Sequence, residues 1–429
     1  MKRRIVLAVI ALAILALVLL SRLRVEDRTG GEAPPPLFAD TANEVERGRA
    51  LVLLADCGPC HTARGGEPFA GGRAIPTPFG TFVTPNITPD PETGIGNWTS
   101  DDFWRALHEG RSRDGRLLYP TFPYTNYTKI SRRDADAMFA YLRTLKPVRR
   151  ENRPHELRFP YDQRWLLAAW RALFFRPGVY EPDPERSAEW NRGAYLVQGV
   201  AHCSACHEAR NALGAIQSSD NPAGGLVLDW YAPSLTRARE AGVQHWSEED
   251  IVTFLRTGRT QSAPHASALG PMAEVVYESL QHVHPGELHA MAVYLKSLPV
   301  DGAPPDAGAG FASAPLTGSL ARGREIYMEH CADCHGERGE GRLPAAIPLA
   351  GNRAVCMDSV ANPIRIVLYG GYPPGTEGSP RPFGMPPFYP TLRNDQIASV
   401  LNYVRTGCGA DVPRVTADEV ERNRGGPLW

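Results

Sequence analysis

Apolar residues recur at helical spacing in three pairs of segments along this chain. Each pair opens and closes a stretch of roughly a hundred residues, the size of a small domain. The opening segments are Arg47-Gly48-Arg49-Ala50-Leu51-Val52, Arg192-Gly193-Ala194-Tyr195-Leu196-Val197 and Arg322-Gly323-Arg324-Glu325-Ile326-Tyr327. The closing segments are Asp136-Ala137-Met138-Phe139-Ala140-Tyr141-Leu142, Leu288-His289-Ala290-Met291-Ala292-Val293-Tyr294-Leu295 and Gln396-Ile397-Ala398-Ser399-Val400-Leu401-Asn402-Tyr403-Val404. Glycine inside a helix costs stability, so a glycine at matched places in three opening helices predicts close packing there. Each closing helix carries a tyrosine whose ring can lie against that glycine. Between them, Trp98-Thr99-Ser100-Asp101-Asp102-Phe103 and Trp246-Ser247-Glu248-Glu249-Asp250-Ile251 read as the capped, acidic starts of middle helices. The expected fold class is all-α.

The same pattern divides the chain. Domains are expected over residues 43–150, 186–300 and 317–410. Residues 151–185 form a helical linker around Arg164-Trp165-Leu166-Leu167-Ala168-Ala169-Trp170-Arg171-Ala172-Leu173-Phe174-Phe175. This helix is too short and too charged to span a bilayer. Packing between the first two domains is the default reading; lying on a membrane or docking a partner are the alternatives. Residues 301–316 read as a flexible linker and 411–429 as a loosely held polar tail. At the N-terminus, Met1-Lys2-Arg3-Arg4 precedes an apolar run over residues 5–20. Basic residues before an apolar core mark an export signal, with the basic end kept in the cytoplasm. No Ala-x-Ala-like site follows, so residues 1–24 are expected to stay as an anchor, a cleaved signal being the alternative. Residues 25–42, with Pro34-Pro35-Pro36, read as a tether.

Composition changes this picture little. The 429 residues carry a net charge of -1, which favours neither nucleic acid nor anionic lipid. With 39 prolines and 41 glycines, short helices joined by specific loops are expected rather than sheets. The 8 cysteines change it more. Six of them form Cys57-Gly58-Pro59-Cys60-His61, Cys203-Ser204-Ala205-Cys206-His207 and Cys331-Ala332-Asp333-Cys334-His335. Two thiols at this spacing can each add to a haem vinyl group, and the adjacent histidine can ligate the iron. A redox dithiol needs a βαβ setting and no histidine; structural zinc needs two pairs brought together. Three separate pairs, each followed by histidine, fit neither. The reading is three covalently bound haem c groups on Cys57, Cys60, Cys203, Cys206, Cys331 and Cys334, with His61, His207 and His335 as iron ligands.

The sixth ligands differ between the repeats. Met272, in Gly270-Pro271-Met272, lies 22 residues before Tyr294, and Met385, in Gly384-Met385-Pro386, lies 18 before Tyr403. Both are placed in loops and assigned as iron ligands, because methionine beside glycine and proline is poor core filler. In the first repeat, 19 residues before Tyr141 stands Phe122. Haem 1 then has no protein sixth ligand, or an unusual one such as His108. A proline follows each motif, in Pro85-Asn86, Pro233-Ser234 and Pro348-Leu349. The remaining Cys356 and Cys408 fall in one repeat. In an exported protein they are expected as a disulfide, with two free thiols as the alternative.

Opening and closing helices that cross at a glycine and an aromatic ring resemble class I cytochrome c domains, here three in tandem behind an N-terminal membrane segment. That resemblance implies that the carbonyl of the proline after each motif accepts the ligand histidine's proton. The chain as a whole resembles the tri-haem cytochrome c subunits of bacterial membrane-bound dehydrogenases for alcohol, gluconate, fructose and aldehyde. The marks are Thr84-Pro85-Asn86-Ile87-Thr88-Pro89-Asp90, Thr93-Gly94-Ile95-Gly96, Arg164-Trp165 with Phe174-Phe175-Arg176-Pro177-Gly178, and Ala188-Glu189-Trp190-Asn191-Arg192-Gly193. The resemblance implies a non-catalytic subunit that accepts electrons from a dehydrogenase catalytic subunit and passes them to ubiquinone or a terminal oxidase. It implies a place on the periplasmic side of the inner membrane, here N-terminally anchored. Phe122 departs from the methionine usual in the better-known members. The other classes considered are a peroxidase-like haem enzyme and a haem-based ligand sensor, both using an open haem 1. No dinucleotide fingerprint, flavin site or hydrolase elbow is present, so no substrate chemistry of its own is expected.

Overall fold

The computed structural model describes residues 13, 34–35, 43–217, 223–260, 265–303, 310–311, 315–343, 345–409 and 412–425. The anchor and tether expected before residue 43 thus fall almost wholly outside the described residues. Among the described residues, no helix is long and apolar enough to cross a membrane. The chain divides into two compact units. The first runs to Ala205 and takes in Ala212–Ala215; the second comprises Cys206–Asn211 and everything from Ile216.

The first unit begins with helix α1 (Glu44–Leu54), which leads into the single turn α2 (Cys57–Cys60). Asn43 caps α1 through its side-chain oxygen, which accepts from the amides of Val45 and Glu46. Strands β1 (Ala74–Thr77) and β2 (Gly80–Val83) follow, then α3 (Ser100–Glu109), α4 (Tyr124–Tyr127) and α5 (Arg132–Leu142). A two-residue strand β3 (Glu156–Leu157), helix α6 (Leu166–Phe174) and helix α7 (Ala188–Tyr195) complete the unit. Gly48 explains why α1 can cross α5. A Cβ there would stand 1.8 Å from the carbonyl oxygen of Ala137 and 3.0 Å from Tyr141 Cβ. Apolar residues of both helices, Leu51, Val52, Met138 and Leu142, are buried at the crossing. Each contributes roughly 1.5–3 kcal/mol relative to exposure.

One buried polar cluster ties α7 to this pair. Asp134 is fully buried and accepts from Arg47 Nε at 2.7 Å and from the Tyr195 hydroxyl at 2.5 Å. The opening helix of the second repeat is therefore fastened to the closing helix of the first. A lone buried carboxylate would be costly; two donors offset its desolvation. Helix α6 is held from its basic side. Arg164 Nη1 donates to the Leu117 carbonyl at 2.7 Å, and Arg171 donates to that of Glu109 while lying over the rings of Tyr124 and Phe175. Its apolar side is less covered than packing alone would require. Only Leu167 is buried, while Trp165 and Leu173 keep 66% and 53% of their surface exposed.

The second unit contains the hairpin β4 (Gly225–Val227) and β5 (Trp230–Ala232), helices α9 (Glu248–Thr257), α10 (Pro271–Glu278) and α11 (Pro285–Ser297), and the third repeat. The turn α8 (Ser204–His207) sits on the boundary between the units. The third repeat comprises α12 (Gly318–His330), α13 (Ala332–His335), α14 (Arg353–Cys356), α15 (Ala361–Tyr369) and α16 (Asn394–Val404), followed by α17 (Ala417–Arg424). Here the glycine crossing repeats almost atom for atom. A Cβ on Gly323 would stand 2.1 Å from the Ser399 carbonyl oxygen and 3.0 Å from Tyr403 Cβ. The middle helices start as their caps predict. Thr99 and Asp102 form a reciprocal capping box on α3, and Ser247 accepts from the Asp250 amide at 3.0 Å on α9.

Four expectations are corrected. The fold is mostly helical, not all-α: β1, β2 and β3 form an antiparallel sheet, and β4 pairs with β5. Strands of two to four residues leave no detectable alternation, so the helical-period reading passed over them. The β4–β5 turn uses Leu228 and Asp229, both at positive φ (52° and 63°), the conformation of a tight hairpin turn. The expected polar tail is anchored: α17 carries a Thr416–Glu419 capping box, Val420 is fully buried, and the Tyr369 hydroxyl donates to the carbonyls of Asn423 and Arg424. One buried valine in a charged helix is too sparse a pattern to read as packing. The linker at 301–316 is likewise tied down at Phe311, which is buried against the rings of Tyr327 and Tyr403 at 5.1 and 5.2 Å. Met272 lies in the first turn of α10 rather than in a loop, because Pro271 pre-sets the helical φ at the first position.

Cys356 and Cys408 form a disulfide, with Cα atoms 5.3 Å apart and a sequence separation of 52. It joins α14 to the turn after α16. Closing a loop of this length restricts the unfolded chain, so a Cys356→Ala/Cys408→Ala variant should lose about 2–5 kcal/mol of stability. Urea unfolding of the oxidised parent and the variant checks this; coincident midpoints would refute it.

Candidate haem-attachment sites

The first site is built by the end of α1. Ala55 closes the helix, and Asp56 turns the chain through the left-handed region at φ 53°. The one-turn α2 then places Cys57 and Cys60 three residues apart on one helical face, and His61 closes it with a bond from its amide to the Cys57 carbonyl at 3.0 Å. The third site repeats this on α13, where the His335 amide donates to the Cys331 carbonyl at 2.9 Å. The second motif lies on α8. None of its cysteines, nor those of the other two motifs, is in a disulfide.

Each histidine is held by its Nδ1. His61 meets the Pro85 carbonyl at 2.8 Å, His207 that of Pro233 at 2.7 Å, and His335 that of Ile347 at 3.3 Å. A carbonyl on Nδ1 fixes the tautomer with the proton there and leaves Nε2 with its lone pair for a metal. Hairpins β1–β2 and β4–β5 deliver Pro85 and Pro233 to their histidines. Among the described residues the third repeat has no such hairpin, and its loop from His335 is half the length. It therefore supplies the carbonyl of Ile347, the residue before Pro348, and not that of the proline expected from the sequence. Burial holds all three imidazoles below the ordinary histidine range, partly opposed by these carbonyl bonds. They are neutral at neutral pH, the form that ligates iron.

The thiols argue against dithiol redox chemistry. Burial, then the neighbouring Cys60 and Asp56, pushes the Cys57 thiol far up; burial and Cys334 raise Cys331 to about 11. Redox-active dithiols need the opposite shift. Among the described residues, no group of three or more His, Cys, Asp or Glu side chains converges as a metal cluster. The surroundings suit a large cofactor with polar edges. The indole Nε1 atoms of Trp230 and Trp246 are buried with no hydrogen-bond partner among the described residues. A buried donor of this kind calls for an acceptor that the protein itself does not supply. The residues present thus fit haem c, which when bound supplies a one-electron iron couple.

The sixth-ligand candidates are held by backbone rather than by their own side chains. Gly270, at φ 58°, precedes Pro271 and Met272, and a Cβ on it would run into the Trp230 ring at 2.5 Å. Met385 is extended and exchanges two backbone bonds with Gly371, at 2.8 and 3.0 Å. Both methionines are half-buried. Phe122 lies in the turn before α4, half-buried, its ring centroid 5.4 Å from that of Tyr127. His108, on α3, is buried in the core, with Nδ1 2.9 Å from the Thr128 carbonyl and its ring flat on Trp104 at 4.5 Å. Met138 is fully buried core. Two features escaped the sequence reading. Tyr127 and Asn126 reach toward the first and second attachment motifs, and Arg365, fully buried on α15, lies over the rings of Trp230 and Tyr369. No local spacing marks either, because their partners are distant in sequence.

Comparison with known proteins agrees with this architecture. The cytochrome c family matches residues 45–146 and 320–407. A nicotinate dehydrogenase subunit of Pseudomonas putida is 43% identical over 89% of this chain, which spans about a third (32%) of that protein's length. The cytochrome c subunit of the quinone alcohol dehydrogenase of Gluconobacter oxydans is 39% identical over 89% of this chain and 82% of its own. The gluconate 2-dehydrogenase cytochrome c subunit of Pantoea cypripedii is 37% identical over 90% of each. With this similarity running over nearly the whole of such subunits, the chain belongs to the dehydrogenase cytochrome c subunits, electron-transfer partners of these complexes rather than their catalytic subunits.

Proposed function

We propose that the chain carries three haem c groups and relays electrons from a dehydrogenase catalytic subunit to ubiquinone or a terminal oxidase. One observation supports this above the others. All three Cys-x-x-Cys-His motifs present a neutral histidine whose Nδ1 is engaged by a backbone carbonyl. His61, His207 and His335 are the proximal ligands in this reading, with Met272 and Met385 completing haems 2 and 3. The names of the relatives support the dehydrogenase partner. The basic start and apolar run of residues 1–20 support a place on the periplasmic side of the inner membrane, held by residues 1–24. The domain limits at 43–150, 186–300 and 317–410 follow the attachment motifs, one to each. A pyridine haemochrome assay with intact mass should find three haems per chain; two or fewer would overturn the count.

A further inference from the structure

The turn α4 touches two attachment motifs at once. The Tyr127 hydroxyl donates to the Ala55 carbonyl at 2.8 Å, and that same oxygen lies 3.9 Å from Cys57 Sγ. On its other side, the Tyr127 ring meets His202 edge-on, with centroids 5.2 Å apart. His202 immediately precedes Cys203. The neighbouring Asn126 donates from Nδ2 to the Ser204 hydroxyl at 2.7 Å and to the Gln198 carbonyl at 3.0 Å. Ser204 is the residue between the cysteines that follows Cys203. Lys129 secures the same turn, its Nζ donating to Gln198 Oε1 at 2.9 Å. His202 stands at φ 41°, a conformation that a residue with a side chain rarely holds unless its surroundings impose it. Phe122 extends the row, so that tilted and edge-on ring contacts run from Phe122 through Tyr127 to His202, from the turn before α4 to the second motif.

We propose that Asn126, Tyr127 and His202 form a bridge that holds the Cys57 edge of haem 1 close to the Cys203 edge of haem 2 and carries electron exchange between them. This rests on the tri-haem reading above. A cysteine thioether marks the edge of the macrocycle that it binds. Tyr127 meets Ala55, two residues before Cys57, and His202, one before Cys203, and so would bring two such edges toward the same contact when haem is bound. With haem bound, the exchange would move one electron, one ferrous iron becoming ferric as the other ferric iron becomes ferrous. No bond changes, and Tyr127 keeps its proton. Burial holds that phenol well above its ordinary range, which disfavours its ionisation. Tyr127 and His202 act as positioning residues, since they touch the attachment segments and not the irons.

The test uses the full chain with its haem count and individual midpoint potentials measured first. Pulse radiolysis then reads the internal re-equilibration between haems 1 and 2. Tyr127→Leu and Asn126→Ala should each slow it several-fold, with three haems and all midpoints retained. Tyr127→Phe removes only the bond to the Ala55 carbonyl and keeps the ring contact with His202, so it should slow the exchange less than Tyr127→Leu, which loses both. If Tyr127→Leu fails to fold, Asn126→Ala and His202→Ala decide the matter. Unchanged rates in the folded variants would overturn the bridge. A parent with fewer than three haems would instead overturn the tri-haem reading.

Discussion

Replacing Phe122 by methionine should abolish fast carbon monoxide binding by the reduced protein. The parent is expected to bind it at one haem of the three. Measured back from the matched tyrosines, Phe122 stands where Met272 and Met385 stand in the sister repeats. Its ring packs on Tyr127 beside the first motif and offers no lone pair. Without a thioether, the iron of a haem bound at the first motif would keep an open coordination position when reduced, and its potential should lie below those of haems 2 and 3. A methionine at 122 is flexible enough to fit the same space and brings the missing sulfur. The competing ligand is His108. Its Nδ1 bond to Thr128 and its stacking on Trp104 hold it in the core. A His108→Ala variant separates the two accounts. If His108 ligates iron, the parent should be inert to carbon monoxide and the variant reactive. No reaction in the parent, or a Phe122→Met variant that behaves like it, would sink the open-site account.

Met272→Ala and Met385→Ala should each open one further haem. The fraction reactive to carbon monoxide should rise from one haem to two, with a fall in the affected midpoint and loss of the sulfur-to-iron band at the red edge of the spectrum. The local structure makes these clean substitutions. Met385 is fastened by its backbone to Gly371, and the start of α10 is set by Gly270 against Trp230 and by Pro271. Truncating either side chain leaves those fixtures in place. Redox titration and reduced-plus-carbon-monoxide spectra of the two variants check the assignment. Unchanged spectra in both would show that the irons take their sixth ligands elsewhere.

What could be read from the chain alone was whatever depends on neighbours a few residues away. Cys-x-x-Cys-His needs only one helical turn to line up two thiols and a histidine. Thr99 and Asp102, and likewise Ser247 and Asp250, cap helices within three residues of each other. The matched Gly48 and Gly323 signalled a helix crossing because glycine in a helix interior is costly without a packing reason. The pairing of Cys356 with Cys408 followed from their being the two cysteines left over, both in one repeat of a chain read as exported, and the disulfide is present.

Tertiary structure decided everything whose partner is far along the chain. The carbonyl on His335 belongs to Ile347, because a loop without a hairpin reaches the ring one residue earlier than Pro348. Val420 and Phe311 are buried in a tail and a linker read as loose, each a single apolar side chain that no periodic pattern announces. Arg365 lies over Trp230, which belongs to the preceding repeat, and Asn126 finds Ser204 across 78 residues of sequence. Local spacing carries the chemistry of attachment, since a thioether and an axial histidine need only one turn of helix. Contacts such as that of Asn126 with Ser204, between residues far apart in sequence, form only once those segments have folded together.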